Sequence, residues 1–271
     1  MRLENKVILV TGSCTGIGRA IAVQCVREGA RVVIHGLERD LGEAVVADLG
    51  TDKAVLHIED LIGEGCPERL VALAVATFGG LDAVVNNAAL VASGNLHTTD
   101  AAFFRKMLEV NTIAPFLLIK AALPYLGAAR GHVLNIGSVN AWSGEPDLLP
   151  YSVSKGALMT MTRNLGDTLM RENGVRVNQI NPGWVLTENE ARRKREHGLS
   201  EDWPSHLPKV YAPAGRILKP EEIAMAAIYW LAEESGPISG QVVDLEQHPF
   251  IGRNPPKDAT TILVGPAGSG K

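Results

Sequence analysis

The sequence predicts an α/β fold in a single domain, a doubly wound parallel sheet of about seven strands with helices on both faces. Two observations carry this expectation. Short β-branched runs alternate with helical segments along most of the chain, and βαβ alternation with right-handed crossovers closes into a parallel sheet. The runs themselves, KVILV and RVVI among them, are almost uniformly apolar, as strands covered on both faces are.

In chain order, a first strand is expected at 6–10, a helix over 16–28 and a second strand over 31–35. Residues 39–49 read as the next helix and 54–58 as the third strand. A helix over 67–78 opens on Pro67, which suits a first helical turn. Residues 83–85 form a short buried strand, 98–126 a long helical stretch, 132–136 a strand, 151–171 a helix and 175–180 a strand. Composition changes once, near 187–213, where ENEARRKREHGLSEDWPSHLPK is charged, holds Trp203 and ends in prolines. The plain reading is a solvated helix and loop; its position just after a Pro-Gly turn favours a lid over a pocket. The domain is expected over 1–250, with this substrate-loop region at about 187–215 inside it, and 251–271 as a C-terminal tail.

The 271 residues suit one α/β domain. Lys plus Arg is 26 against 30 for Asp plus Glu, a net charge of −4, which argues against nucleic-acid binding through a basic face. The 46% hydrophobic and 21% charged residues exclude a disordered chain. Three cysteines, Cys14, Cys25 and Cys66, lack metal-type spacing and are too few for a disulfide framework. The seven histidines show no HExxH and no Cys/His cluster, so no metal is expected. The N-terminus does not read as a signal peptide, and no apolar stretch approaches the ~20 residues of a membrane span. A cytoplasmic protein without membrane or nucleic-acid partners is the expectation.

The first strand runs into Thr11-Gly12-Ser13-Cys14-Thr15-Gly16-Ile17-Gly18 and then a helix. Glycines let the chain turn sharply and let backbone approach a pyrophosphate, and the helix N-terminus offers free N–H groups to the phosphates. That context marks a Rossmann-like dinucleotide turn. The spacing TGxxxGIG resembles that of the short-chain dehydrogenase/reductase (SDR) family, and four further motifs follow in order. Asn86-Asn87-Ala88-Ala89 is similar to the family's NNAG, with alanine for its last glycine. Asn111 stands at its helix asparagine, Ser138 precedes Tyr151 by thirteen residues, and Tyr151-Ser152-Val153-Ser154-Lys155 matches YxxxK. Pro182-Gly183 with Thr187 resembles its second cofactor turn. The match spans about residues 5–245.

The resemblance implies a nicotinamide-dependent oxidoreductase acting on CH–OH groups, with Asn111, Ser138, Tyr151 and Lys155 as the catalytic set. Tyr151 and Lys155, four apart, share a helix face. A phenol of pKa near 10 is a poor base at neutral pH, and a neighbouring ammonium with the nicotinamide charge lowers it. The family assigns Ser138 to the substrate oxygen, Lys155 to the ribose hydroxyls and Asn111 to a water linking the lysine to solvent. The cofactor-binding residues it implies are Gly12, Ser13, Thr15, Gly16, Ile17, Gly18, Gly36, Leu37, Asp60, Leu61, Asn87, Ala88, Tyr151, Lys155, Pro182, Gly183, Val185 and Thr187.

NAD-preferring members carry an acid after the second strand and NADP binders a basic residue. Here Gly36 stands where the acid would be and Leu37 where the arginine would be. Arg39 either reaches a 2′-phosphate or caps a helix start. The cofactor is therefore NAD(P), NAD versus NADP undecided. Between Ser138 and Tyr151, Asn140, Trp142 and Glu145 are candidate substrate residues, and amide, indole and carboxylate groups suit a hydroxyl-rich sugar, polyol or sugar acid. A 3-oxoacyl thioester reductase is the alternative, and a catalytically silent nucleotide-sensing or scaffold protein the alternative of another class. The family also implies a homotetramer or homodimer. Phe250, Ile251 and Arg253 are expected to dock the tail on a neighbouring subunit. GPAGSGK at 265–271 spells a P-loop only as far as its lysine, so ATP binding is not expected.

Overall fold

The VILV run of the first strand is buried at every position and lies third from one edge of a seven-stranded sheet. The computed structural model describes residues 1–196 and 198–249. The strands are β1 (Val7–Val10), β2 (Arg31–Gly36), β3 (Ala54–Ile58), β4 (Ala83–Asn86), β5 (His132–Ile136), β6 (Arg176–Pro182) and β7 (Val242–Leu245). They lie in the order β3-β2-β1-β4-β5-β6-β7, all parallel. Ile8 pairs with Val32 on one side and Ala83 on the other. The chain therefore reverses direction across the sheet between β1 and β4, and in doubly wound folds ligands bind outside the strand ends at that point.

Helices α1 (Gly16–Arg27), α2 (Arg39–Leu49), α3 (Cys66–Phe78), α4 (Ala101–Leu108), α5 (Ala114–Ala129), α6 (Asn140–Ser143), α7 (Leu149–Asn173), α8 (Glu188–Glu196) and α9 (Pro220–Leu231) complete the described chain. Two apolar cores lie on opposite faces of the sheet. One joins α1 and α9 to it through Ile21, Ala22, Ile223 and Ile228; the other joins α3, α5 and α7 through Leu70, Leu118, Ala122 and Leu169. Most expected elements appear within a residue or three of their expected bounds. Helix α9, absent from the expected sequence of elements, opens on Pro220, and the Glu222 carboxylate in its first turn accepts from the Lys219 N–H at 2.8 Å. The long stretch near 98–126 is two α-helices joined by a π-helical turn, Glu109–Ile113. That run, Ala101–Ala129, is long and apolar enough on average for a membrane span, which corrects the expectation that no apolar stretch comes near that length; its few charged residues are spread along a helix whose average stays apolar. Its inner face packs on α3 and the sheet, while Ile113, Phe116 and Leu117 remain exposed. All three cysteines are free and buried. The tail residues Phe250, Ile251 and Arg253 and the GPAGSGK end lie outside the described residues.

Candidate active site

The turn after β1 is built by close approach of backbone to backbone. Gly12 and Gly16 take φ of 62° and 55°, which favours glycine. A side chain at Gly12 would come within 2.9 Å of the Ala88 Cα, and one at Gly18 would strike the Gly12 carbonyl and the Asn87 amide. Thr11 Oγ1 accepts from the N–H groups of Asn87 and Ala88, at 3.0 Å each. Asn87 Nδ2 donates to the Thr11 and Gly12 carbonyls at 2.9 and 3.0 Å. Asn87 and Ala88 thus brace the turn from beneath. Ser13 also points inward: its hydroxyl donates to Val10 O and accepts from His35 N. His35, unmarked in the sequence, accepts from Gly12 N at Nδ1 (3.4 Å) and bonds the Glu59 carbonyl through Nε2. Burial first, then the nearby His57, holds its pKa down to about 4, so the ring is neutral.

The first turn of α1 has no acidic residue of its own, and Thr15 before it makes no side-chain cap. The Gly16 N–H points instead at the Glu188 carboxylate, 3.2 Å away, and Arg19 binds the same carboxylate at 2.6 Å. The cradle that a Cβ at Gly12 or Gly18 would fill, with a carboxylate already drawn to the Gly16 N–H, fits a dinucleotide's phosphates. Ile17 and Gly18 follow on the first turn. On the facing wall, Pro182 ends β6, Gly183 donates to the Leu245 carbonyl, and Val185 pairs with Leu218 in an isolated bridge. The Thr187 methyl lies 3.3 Å from where a Gly16 side chain would begin, and its hydroxyl accepts from Glu190 N to start α8.

Tyr151 and Lys155 come from the first turns of α7 and Ser138 from the end of β5, and all three are buried. Lys155 Nζ donates to Ile136 O at 2.8 Å and stands 5.8 Å from the centre of the Tyr151 ring. Burial brings the ammonium down to about 8. Burial also pushes the Tyr151 phenol up, and the Ser138 hydroxyl bonded to it pulls it part of the way back. The protein alone therefore shifts Tyr151 opposite to the expected direction, because desolvating a phenolate outweighs one hydroxyl donor. Asn111 sits in the π-helical turn. Its Oδ1 accepts from Leu90 N, and its Nδ2 reaches Leu90 O and Ser154 Oγ, both at 2.9 Å. It is a clasp between the chain after β4 and the residue preceding Lys155.

Below this cluster runs a chain of buried amides that the sequence reading missed. Asn86 donates to Asn135, Asn135 to Thr162, and Thr162 Oγ1 lies 2.8 Å from Gln179 Oε1. Gln179 donates to Asn181 and Asn181 to Asp244. The signal was available as polar letters inside strands, HVLNI and RVNQINP. Trp142 ends the chain, donating its indole N–H to Asp244 at 2.9 Å with Arg163 stacked 4.9 Å from its ring.

Asn140 and Glu145 bond each other at 3.3 Å. They line a cavity of about 620 Å³ with Leu96, Leu149, Ser152 and Gly156, a wall that does not include Tyr151. At 100° per residue, Leu149, Ser152 and Gly156 occupy the side of α7 away from Tyr151 and Lys155. Asn140 is nonetheless tied to the cluster, its N–H donating to Ser138 Oγ at 3.2 Å.

At the adenosine end, Leu37 is 63% exposed, and Gly36 has no room for a side chain: its Cβ would lie 2.5 Å from Cys14 Sγ. Cys14 is packing, its thiol pushed up to about 11 by burial, then by Glu38. Asp60 accepts from Ile62 N, and Leu61 is buried behind it. Nearby, His57, Glu59 and Cys66 bring potential ligand atoms within 4.8 Å of one another, a grouping that sequence spacing had hidden. Glu59 is already bonded to Arg69 and His57, which hold its carboxyl down to about 2.

The family model described as Enoyl-(Acyl carrier protein) reductase matches residues 12–246. The chain is 37% identical over 235 residues to an L-fucose dehydrogenase of Mus musculus, covering 86% of this chain and 84% of that one. It is 34% identical over 242 residues to 2-(S)-hydroxypropyl-CoM dehydrogenase 3 of Xanthobacter autotrophicus, covering 88% and 94%. A crystal structure described as a short-chain dehydrogenase/reductase, glucose/ribitol dehydrogenase, from Brucella melitensis superposes with a TM-score of 0.81 at 27% identity, covering 90% and 96%. With its glycine turn, strand order and Tyr151–Lys155 pair, the chain belongs to the short-chain dehydrogenase/reductase family and is an oxidoreductase that uses a nicotinamide cofactor.

Proposed function

We propose that this oxidoreductase interconverts a secondary alcohol and a ketone on a hydroxyl-rich small molecule, a sugar, polyol or sugar acid. The observation that carries the reading is the convergence of Ser138, Tyr151 and Lys155 in one buried spot at the strand ends. The nicotinamide would supply hydride exchange with the substrate carbon, and its positive charge would favour the phenolate. Tyr151 takes the alcohol proton during oxidation and returns it to the carbonyl during reduction. Ser138 donates to the substrate oxygen. Lys155, its ammonium brought down to about 8 by burial, would hold the ribose hydroxyls and lower the cost of the phenolate. Asn111 positions Lys155 through Ser154. The names of the L-fucose and glucose/ribitol dehydrogenases support the substrate class. A carboxylate at Glu38, 3.4 Å from where a Gly36 side chain would begin, supports NAD over NADP, since a 2′-phosphate would meet a like charge there.

The matching family description favours a second reading, reduction of a 3-oxoacyl thioester. Absorbance of the reduced nicotinamide, followed with NAD(H) and NADP(H) against aldoses, polyols, sugar acids and a 3-oxoacyl thioester, separates the two. Turnover of the polyhydroxy panel is the expected result. Turnover of the thioester alone establishes the second reading, and tight cofactor binding with no turnover a sensor. The exposed Ile113, Phe116 and Leu117 support the further proposal that copies of the chain associate as a dimer or tetramer.

A further inference from the structure

Glu188 is the first residue of the charged helix α8, yet its carboxylate lies at the start of α1, far away in sequence. Oε2 accepts from the Gly16 N–H at 3.2 Å and Oε1 from Arg19 at 2.6 Å. These donors belong to the first turn of the helix that follows the glycine turn, the groups to which a fold of this order presents a pyrophosphate. Thr187, packed against Gly16, fixes where the carboxylate is delivered. Behind it α8 is tied down by Glu190, which accepts from the Trp184 indole at 2.8 Å and from Arg193 at 2.7 Å.

We propose that Glu188 is an internal competitor of the cofactor: its carboxylate sits in the phosphate seat of α1, and a dinucleotide must expel it, freeing the start of α8. This rests on the cofactor half of the reading above and not on the substrate. Two anions cannot share one set of N–H donors, so the apparent dissociation constant is the intrinsic one divided by the fraction of molecules with the seat clear. Glu188 and Arg19 are each about half exposed, 53% and 46%. Solvent screening keeps the contact weak, and its removal is worth about two- to fivefold in affinity.

The test compares the intact protein with Glu188→Gln, which removes the charge, and Glu188→Asp, which keeps it and shortens the reach. NAD, NADP and ADP-ribose, which carries the pyrophosphate without the nicotinamide, are titrated calorimetrically. Both variants should bind each ligand about two- to fivefold tighter. Without ligand, both should also be cut faster by trypsin within 192–195. Unchanged or weaker binding in Glu188→Gln overturns the proposal. Tighter binding in Glu188→Gln alone, with unchanged cleavage, also overturns it, because through-space repulsion would then suffice. If the unaltered protein binds none of the three ligands, the cofactor reading falls and takes this inference with it.

Discussion

Tyr151 is a proton carrier made difficult by its own surroundings. Burial raises its pKa, and one bond from Ser138 offsets part of that rise. Tyr151→Phe removes the transferable proton and little else, so turnover should vanish while calorimetric cofactor affinity stays within a few-fold. Lys155→Ala should depress both quantities. Gly36 presents the opposite situation, a residue chosen for lack of space. An acid placed there by analogy with NAD-binding relatives would drive its Cβ into Cys14. Gly36→Asp alone should therefore lower the urea unfolding free energy by about 1–3 kcal/mol. Its effect on the ratio of kcat/KM for the two cofactors should become readable once Cys14→Ala makes room. The glycine turn and the Tyr–Lys pair were legible in the sequence because each needs a fixed residue at a fixed spacing. The inward hydroxyl of Ser13 and the bracing role of Asn87 were not, because spacing cannot say which way a side chain turns.

At the scale of elements, the segment after β6 has a small core of its own. Trp203 stacks on Trp184 with ring centres 5.2 Å apart, and Leu186, Leu207, Ala212 and Ile217 pack around them. Gln247 pins the end of the segment, accepting from Ala214 N and donating to Arg216 O. The segment opens on helix α8, and the aromatic pair that holds it was visible in the sequence only as two separate tryptophans. A cluster separate from both main cores should open separately. Trp203→Ala, a change that costs about 3–5 kcal/mol in a packed core, should speed amide exchange across 184–217 while leaving exchange in β1 and β4 unchanged. Uniform acceleration through the sheet would show instead that the segment and the sheet unfold together.

For the whole molecule, two buried histidines set the acid limit. His132 accepts from Arg176 at Nε2 (2.7 Å) and bonds the Trp230 carbonyl through Nδ1, which requires the neutral ring. Burial and Arg176 hold its pKa down to about 4, the same as His35. In the unfolded chain both take a proton near 6.5, so between 6.5 and about 4 the unfolded state binds more protons. Stability should be full above pH 6.5 and decline as pH falls towards 4, by at most about 3 kcal/mol for each ring. Urea titrations across that range should show the decline, and His132→Gln, which can still donate and accept, should make it shallower. The parallel, doubly wound sheet was legible because uniformly apolar strands and crossover helices leave few alternatives. The buried amide chain from Asn86 to Asp244 was not, since it exists only once four strands lie side by side.

The wide turn at Glu109–Ile113 bears on how the chain tolerates changes of length. A π-helical turn holds one residue more than the α-helical turn it replaces, and that extra residue lets Asn111 reach both Leu90 and Ser154. Removing one residue there would let the run from Ala101 to Ala129 wind as an ordinary helix with α4 and α5 still in phase, because the wide turn absorbs its extra residue within itself. Met107, now fully buried beside Tyr151, would keep its place there. A deletion that improves the helix locally would thereby spare the wall behind the phenol and undo the clasp that Asn111 makes.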